Sequence, residues 1–275
     1  MMKVSDSFAL TVEMLEKGSI ENPSFEADCL FESFFGVDRI KRINNPELEI
    51  DFDILKLPLE KRLGGVPLQY IIGKWQFYSF EYEVGDGVLI PRPETEILVE
   101  KSLELISGRE NSVIFDLCAG SGCIGLTFAR LIPDSEVYLF EKSEKAFSFL
   151  KKNSSGIKNA RIVNEDIFYS DCQKYKKPDF IISNPPYIRT DEIPFLQKEV
   201  LMEPKMALDG GEDGLVFYRL ISEKWLPCLK EGGFIAVECG ETQSGEIEKL
   251  FSKVCKKTRS VTDYSGTQRI VIGEK

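Results

Sequence analysis

Hydrophobic and polar positions change their rhythm near residue 75. Over residues 1–74 the apolar side chains recur at helical spacing. Phe8, Leu10, Val12, Met14 and Leu15 mark a loosely amphipathic first segment that ends at Gly18. Asn22-Pro23 opens a second helix, because proline is tolerated in a first turn. Its apolar side carries Phe25, Ala27, Cys29, Leu30, Phe34 and Phe35, and Gly36 supplies a C-terminal stop. Short helices over 40–43 and 52–63 complete a small bundle. No catalytic cluster falls in this stretch, which reads as a packing or partner-recognition domain.

Beyond it the period shortens. Residues 75–84 alternate aromatic and polar positions, and Gly85-Asp86-Gly87 is a turn signal, so 75–90 predicts a β-hairpin connector. Pro91 and Pro93 stiffen the chain before a helix over about 94–106. From residue 112 strands and helices alternate. Strands are predicted over 113–115, 136–140, 160–163, 180–183 and 233–238. The helices fall over 124–131, 146–152, 215–229 and 247–254, and an antiparallel pair over 260–264 and 269–272 closes the chain. Such βα alternation implies an α/β fold whose mostly parallel sheet is covered on both faces.

Composition narrows the picture. The chain has 275 residues, 43% hydrophobic and 29% charged, which is ordinary for a globular protein with a real core. The change of rhythm divides it into a helical domain (1–74), a connector (75–90) and an α/β domain (91–275). No apolar run is long enough for a membrane helix. Lys3, Asp6 and Glu13 interrupt the N-terminus, so no signal peptide is expected and the cytoplasm is the expected compartment. A net charge of −10 argues against sequence-independent nucleic-acid binding, which needs cations along the phosphate backbone. Neither a membrane nor a stable nucleic-acid partner is expected, and nothing demands more than a monomer. The seven cysteines are scattered without a C-x-x-C pair, and read as reduced, mostly buried thiols. There is no histidine, which removes Ser-His-Asp and Cys-His catalysis, zinc sites of the HExxH type and imidazole bases. No metal site is expected.

Two motifs carry the candidate chemistry. The first is Asp116-Leu-Cys118-Ala119-Gly120-Ser121-Gly122-Cys-Ile-Gly125, between a predicted strand and a helix. Its glycines permit a tight turn and close approach of a ligand, and Glu141 ends the next strand, where a carboxylate can accept from ribose hydroxyls. Asp116 at the strand end would repel a pyrophosphate and suits a ligand with a cationic end, such as S-adenosylmethionine. Asp166 and Ile167 follow the third strand and fit an adenine site, the carboxylate near the exocyclic amine and Ile167 against the ring. A turn cap is the plainer reading of Asp166 alone.

The second motif is Asn184-Pro185-Pro186-Tyr187, at the end of a buried strand. In an open α/β sheet the C-terminal strand ends face the ligand. Two prolines remove two N–H donors, leaving the Asn184 side-chain oxygen and the Pro185 carbonyl as acceptors for an –NH2 group, with Tyr187 offering a flat face. Amide and aryl-amine nitrogens are poor nucleophiles. Paired acceptors orient such a nitrogen and stabilise the positive charge that it develops.

With these motifs the chain resembles the class I methyltransferases that act on amide or exocyclic nitrogens, and most closely the release-factor glutamine methyltransferases of the PrmC/HemK family. The resemblance spans nearly the whole chain. It is carried by Pro67-Leu-Gln-Tyr-Ile-Ile-Gly73, Leu89-Ile-Pro-Arg-Pro-Glu-Thr-Glu96, the Asp116–Gly122 turn, Ser183-Asn-Pro-Pro-Tyr-Ile188, and Glu203-Pro204 with Ala207-Leu-Asp-Gly-Gly-Glu-Asp-Gly214. It implies a Rossmann-like seven-stranded sheet, S-adenosylmethionine as methyl donor (S-adenosylhomocysteine as product), and as substrate the glutamine of the Gly-Gly-Gln motif of peptide-chain release factors. It also implies that Cys118 to Gly122 line the methionine and ribose side of the donor, Glu141 the ribose and Ile167 the adenine. Asn184 would touch both donor and substrate, and Pro185, Pro186 and Tyr187 would complete the glutamine pocket. Three departures stand out: Glu141 replaces the more usual Asp, Ile167 stands where an aromatic is common, and Cys-Ala-Gly-Ser-Gly replaces Gly-Thr-Gly-Ser/Thr-Gly.

Three alternatives are set against this reading. Adenine-N6 methylation of DNA or RNA uses the same tetrapeptide but predicts a basic groove. An NAD-dependent oxidoreductase would leave Asn-Pro-Pro-Tyr and Asp116 unexplained. A non-catalytic binding module would predict damage to one of the two motifs, and both are intact.

Overall fold

The computed structural model describes all 275 residues. It divides into two units: Met1–Gly73 with the short segment Lys198–Met202, and Lys74–Gln197 with Glu203–Lys275.

The first unit contains β1 (Met2–Lys3), α1 (Val4–Lys17), α2 (Pro23–Phe35), α3 (Arg39–Asn44), β2 (Glu49–Ile50), α4 (Asp53–Leu63) and α5 (Leu68–Ile72). α2 starts with Pro23 in its first turn and ends on Gly36 in the left-handed conformation, where the N–H of Gly36 returns to Glu32. Val4, Leu15, Leu30, Phe31, Leu55 and Leu59 are buried. Phe31 meets Phe8 and Phe35 edge-on at 5.4 and 5.5 Å between ring centres. The antiparallel β1–β2 pair and α5 are additions to the predicted bundle, since elements of two and five residues are too short to show a period. Arg62 is almost wholly buried. It donates to both carboxylate oxygens of Glu26 at 2.6 and 2.8 Å and to Glu199 at 2.6 Å, fastening the Lys198–Met202 segment to this unit.

The second unit opens with the hairpin β3 (Lys74–Phe77) and β4 (Phe80–Glu83), followed by α6 (Pro93–Ile106). Then come β5 (Val113–Leu117), α7 (Cys123–Leu131), β6 (Glu136–Phe140), α8 (Glu144–Asn153), β7 (Ala160–Val163) and β8 (Phe180–Ser183). α9 (Val216–Leu220), β9 (Phe234–Glu238), α10 (Ser244–Phe251), β10 (Lys257–Thr262) and β11 (Gln268–Glu274) complete it. The seven-stranded sheet has the order β10-β11-β9-β8-β5-β6-β7, parallel except where β11 runs antiparallel to both neighbours. Side-chain alternation sorts the strands between two cores. Ile114, Val137, Leu139, Phe180, Ile182 and Ala236 pack with α6 and α7 residues. Phe115, Leu117, Phe140, Ile181 and Val237 pack with Tyr218, Trp225 and Phe251. Chain order reverses at β5, which has β6 on one side and β8 on the other, so a crevice is expected at their C-terminal ends.

Two expectations are corrected. The helix predicted over 215–229 is not one regular helix. α9 passes into a π-turn over Ile221–Trp225, with the Leu226 N–H reaching back to Ile221, and ends in a 3₁₀ turn over Leu226–Cys228. Pro227, within that last turn, has no N–H to continue an α-helical ladder. Nor are all seven cysteines free thiols. Cys172 and Cys228 form a disulfide with their Cα atoms 6.5 Å apart, while Cys29, Cys118, Cys123, Cys239 and Cys255 are free. The partners are 56 residues apart, so local spacing gives no sign of them.

Candidate active site

A cavity opens in the second unit, lined from the Gly-rich turn, the end of β6, the chain after β7 and Asn184 beyond β8. Its lining is acidic and apolar together: Glu141, Glu165 and Asp166 occur with Phe140, Ala146, Ile167 and Phe217. The lining also takes in Pro91 and Arg92 of the Pro-Arg-Pro segment and Thr95, Asn184 and Pro186, and Pro204, Met206 and Ala207.

The Gly-rich turn carries unusual backbone. Cys118, Gly120 and Gly122 have φ of 65°, 58° and 83°. At Gly122 a side chain is excluded twice, by conformation and because a Cβ would stand 2.5 Å from Leu150. Cys118 adopts the left-handed region without being glycine, a strained choice for an L residue. Glu141 braces the turn: its Oε2 accepts from the Gly120 N–H at 2.9 Å and its Oε1 from the Ser143 N–H at 2.6 Å. Burial raises the Glu141 pKa, and these backbone donors oppose the rise.

Asp116 is fully buried and stands beneath the turn, outside the cavity wall. Strand alternation points it to the α7 side, where its Oδ2 accepts from the Gly125 N–H at 2.8 Å, while Oδ1 has no partner. Burial pushes its carboxyl up to about 7. Asp166 lines the cavity and also closes its own turn, accepting from the Phe168 N–H at 3.0 Å; Lys142 lies 3.4 Å from its other oxygen. Cap and cavity wall are thus one residue.

Asn184 and Pro186 line the cavity, whereas Pro185, Tyr187 and Gly122 do not. Asn184 Nδ2 donates to Thr95 Oγ1 at 3.1 Å, and no protein group donates to its Oδ1. The Pro185 carbonyl likewise receives no backbone donor. Tyr187 is held from behind. Gln243 Nε2 donates to its carbonyl at 2.8 Å, and Gly210 lies so close that a Cβ there would come within 2.7 Å of the Tyr187 Cα.

Four further residues shape the site. Glu203, buried, accepts from the Ile90 N–H at 3.0 Å and is paired with Arg92, clasping the Pro-Arg-Pro segment. Thr95 Oγ1 donates to Glu238 Oε2 at 2.6 Å. Glu238 ends β9 and is fully buried, which pushes its carboxyl up to about 7. Tyr218 fixes that strand end by donating to the Glu238 carbonyl at 2.7 Å. A carboxylate closing an otherwise apolar strand was a readable signal for Glu238, and Thr95 and Glu203 lie within motifs already singled out.

The residues present fit a nucleoside-containing methyl donor. Carboxylate acceptors line the cavity together with apolar side chains, and the orphaned Asp116 Oδ1 is an unused acceptor beneath the turn. No group of three or more side chains is arranged to hold a metal ion. No helix is long and apolar enough to cross a membrane.

Comparison with known proteins places the chain. Residues 8–73 match the PrmC N-terminal domain model and residues 94–226 the methyltransferase small domain model. A release factor glutamine methyltransferase of Clostridium acetobutylicum is 37% identical over 98% of this chain and 98% of its own. One of Thermodesulfovibrio yellowstonii is 41% identical over 87% and 88%. The fold is shared with a methyltransferase from Pyrococcus furiosus, at a TM-score of 0.52 and 19% identity, covering 70% of this chain and 88% of that one. Full-length similarity at this level shows that the chain belongs to the release factor glutamine methyltransferase family.

Proposed function

We infer that this chain methylates the side-chain amide nitrogen (N5) of the glutamine in the Gly-Gly-Gln motif of bacterial peptide-chain release factors. The observation that carries this reading is Asn184 Oδ1, an acceptor left free in the same cavity as the Gly-rich turn. S-adenosylmethionine, when bound, supplies the electrophilic methyl group. Cys118, Ala119, Gly120 and Ser121 would hold its methionine and ribose side. Glu141 would receive the ribose hydroxyls, since each of its oxygens keeps a lone pair after binding one backbone N–H. Ile167 would face the adenine, with Asp166 at the exocyclic amine. Asp116 would offer its spare oxygen toward the cationic end.

Toward the substrate, the Asn184 side chain and the Pro185 carbonyl would accept the two amide hydrogens, and Tyr187 would back the amide plane. These acceptors orient the nitrogen lone pair and stabilise its growing positive charge. No strong base is required, in keeping with a chain that has no histidine. The residues that line the cavity all belong to the second unit; we read the protein as a cytoplasmic monomer whose helical first unit docks the protein substrate.

Transfer of labelled methyl tests this, with a wild-type release factor, its Gly-Gly-Ala variant and duplex DNA as parallel acceptors. Label on the wild-type factor alone is expected. Label on DNA would overturn the substrate and leave the cofactor reading in place.

A further inference from the structure

An asparagine side chain is ambiguous at an active site. Its amide presents an acceptor from one end and donors from the other, and rotation by half a turn exchanges them. A site that relies on Asn184 as an acceptor therefore needs something to set that rotation. The structure contains such a device. Asn184 Nδ2 donates to Thr95 Oγ1 at 3.1 Å, and Thr95 Oγ1 donates to Glu238 Oε2 at 2.6 Å.

The chemistry of the three groups gives this chain a direction. A carboxylate accepts and does not donate. The single hydroxyl proton of Thr95 is thus committed to Glu238, and the oxygen presents only lone pairs to Asn184. Asn184 must then turn its NH2 end toward Thr95, which leaves Oδ1 for the cavity. If the hydroxyl proton instead pointed at Asn184, the amide would reverse and present donors to a substrate nitrogen that itself bears hydrogens.

Each element of the relay is independently held. Thr95 lies in the first turn of α6, behind Pro93 at the helix start and with its N–H bonded to the Arg92 carbonyl at 3.1 Å. Glu238 is fixed at the end of β9 by register with β11 and by Tyr218 on its carbonyl. Ser183 Oγ, immediately before Asn184, donates to the Leu117 carbonyl at 2.5 Å and fastens β8 to β5. The Thr95 and Glu238 side chains are buried, so water does not compete for these hydrogen bonds.

We propose that Thr95 and Glu238 are positioning residues for methyl transfer: the Glu238–Thr95–Asn184 hydrogen-bond relay sets the rotation of the Asn184 amide so that its oxygen faces the substrate nitrogen. The inference rests on the reading of Asn184 as the acceptor. It adds that this acceptor is made by residues on two other elements, and that the hydroxyl of Thr95, with its proton directed away, is the part that matters.

The test is a set of full-length variants assayed by kcat and KM for methyl transfer to a release factor, with the dissociation constant of S-adenosylhomocysteine measured alongside. Thr95→Val keeps the shape and removes the hydroxyl. Its kcat is expected to fall by about 10²-fold, the scale of a misplaced reacting group, with product-cofactor affinity within about threefold of wild type. Thr95→Ser restores the hydroxyl and is expected to recover kcat to within about threefold, which a role in packing alone would not produce. A Thr95→Val enzyme with wild-type kcat overturns the proposal, and so does a Thr95→Ser enzyme as slow as Thr95→Val. Asn184→Ala, run in parallel, separates the two levels. If it is slow while Thr95→Val is fast, the relay fails and the acceptor reading stands. If Asn184→Ala is itself fast, the acceptor reading fails and takes the relay with it.

Discussion

Glu238 and Thr95 are 143 positions apart in the chain and share a 2.6 Å hydrogen bond, with Thr95 in the cavity wall. Through Thr95 this buried carboxylate reaches Asn184, the residue that the sequence motif marks as reactive. The pairing ties the end of β9 to the first turn of α6.

A pH dependence follows. Burial pushes the Glu238 carboxyl up to about 7, opposed first by the Thr95 hydrogen bond, with Glu94 adding to the rise and Arg269 and Arg92 also opposing it; Tyr187, Tyr218, Cys123 and Cys239 also face it. Protonated Glu238 becomes a donor and frees the Thr95 proton to turn toward Asn184. Single-turnover methyl transfer is therefore expected to fall as pH drops through about 7. In Glu238→Gln that acid limb should vanish and the plateau should be lower. An unchanged acid limb in the variant would assign the titration elsewhere. The stability effect has the opposite sign. A carboxyl with a raised folded-state pKa favours folding most at pH below its ordinary range, and loses that contribution as pH rises through 7. Melting at pH 8 should accordingly show Glu238→Gln at least as stable as wild type.

Glu141 holds the Gly120 and Ser143 N–H groups with its two oxygens. Glu141→Ala should weaken S-adenosylmethionine binding about 10-fold to 100-fold, the scale of lost hydrogen bonds to a charged group, and leave the KM for the release factor unchanged. Calorimetric titration checks the first part; unaltered affinity would contradict the ribose assignment.

Cys118 stands at φ 65° where glycine is at ease. Cys118→Gly should raise stability by about 1 kcal/mol, by removing the cost of a left-handed L residue. Denaturant unfolding at fixed slope measures it, and a destabilised variant would show that the packing of the half-buried side chain outweighs the strain.

In the first unit, Arg62 is the shared donor for Glu26 and Glu199. Arg62→Ala leaves the nearly buried Glu26 without its partner, and should cost about 3 kcal/mol, with protease sensitivity appearing in the Lys198–Met202 segment. Resistance equal to wild type in that segment would refute its dependence on Arg62.

These relationships show where sequence reading ends. The βα alternation, the Gly-rich turn and Asn-Pro-Pro-Tyr are local, and hydrophobic period and glycine chemistry make them visible. Glu238 with Thr95, Glu203 with Ile90 and Arg92, and Cys172 with Cys228 are joined across separations of 143, 113, 111 and 56 residues. Periodicity says which face a residue takes, and not which distant residue meets it there. Asp116 shows the same boundary within one strand. Its type suggested a ligand contact; that one of its oxygens also braces the Gly125 N–H, on the α7 side to which alternation along β5 turns it, was not legible. The broken helix after α9 ends in a turn that contains Pro227, whose missing N–H cannot continue an α-helical ladder.

The most direct test is fragmentation mass spectrometry of a release factor after incubation with this protein and S-adenosylmethionine, locating the added methyl by residue and by atom. The account predicts one methyl group, on the side-chain nitrogen of the Gly-Gly-Gln glutamine, added about 10²-fold more slowly when Asn184 is alanine. Methyl on another residue, or undiminished methylation of that glutamine by the Asn184→Ala protein, would contradict it.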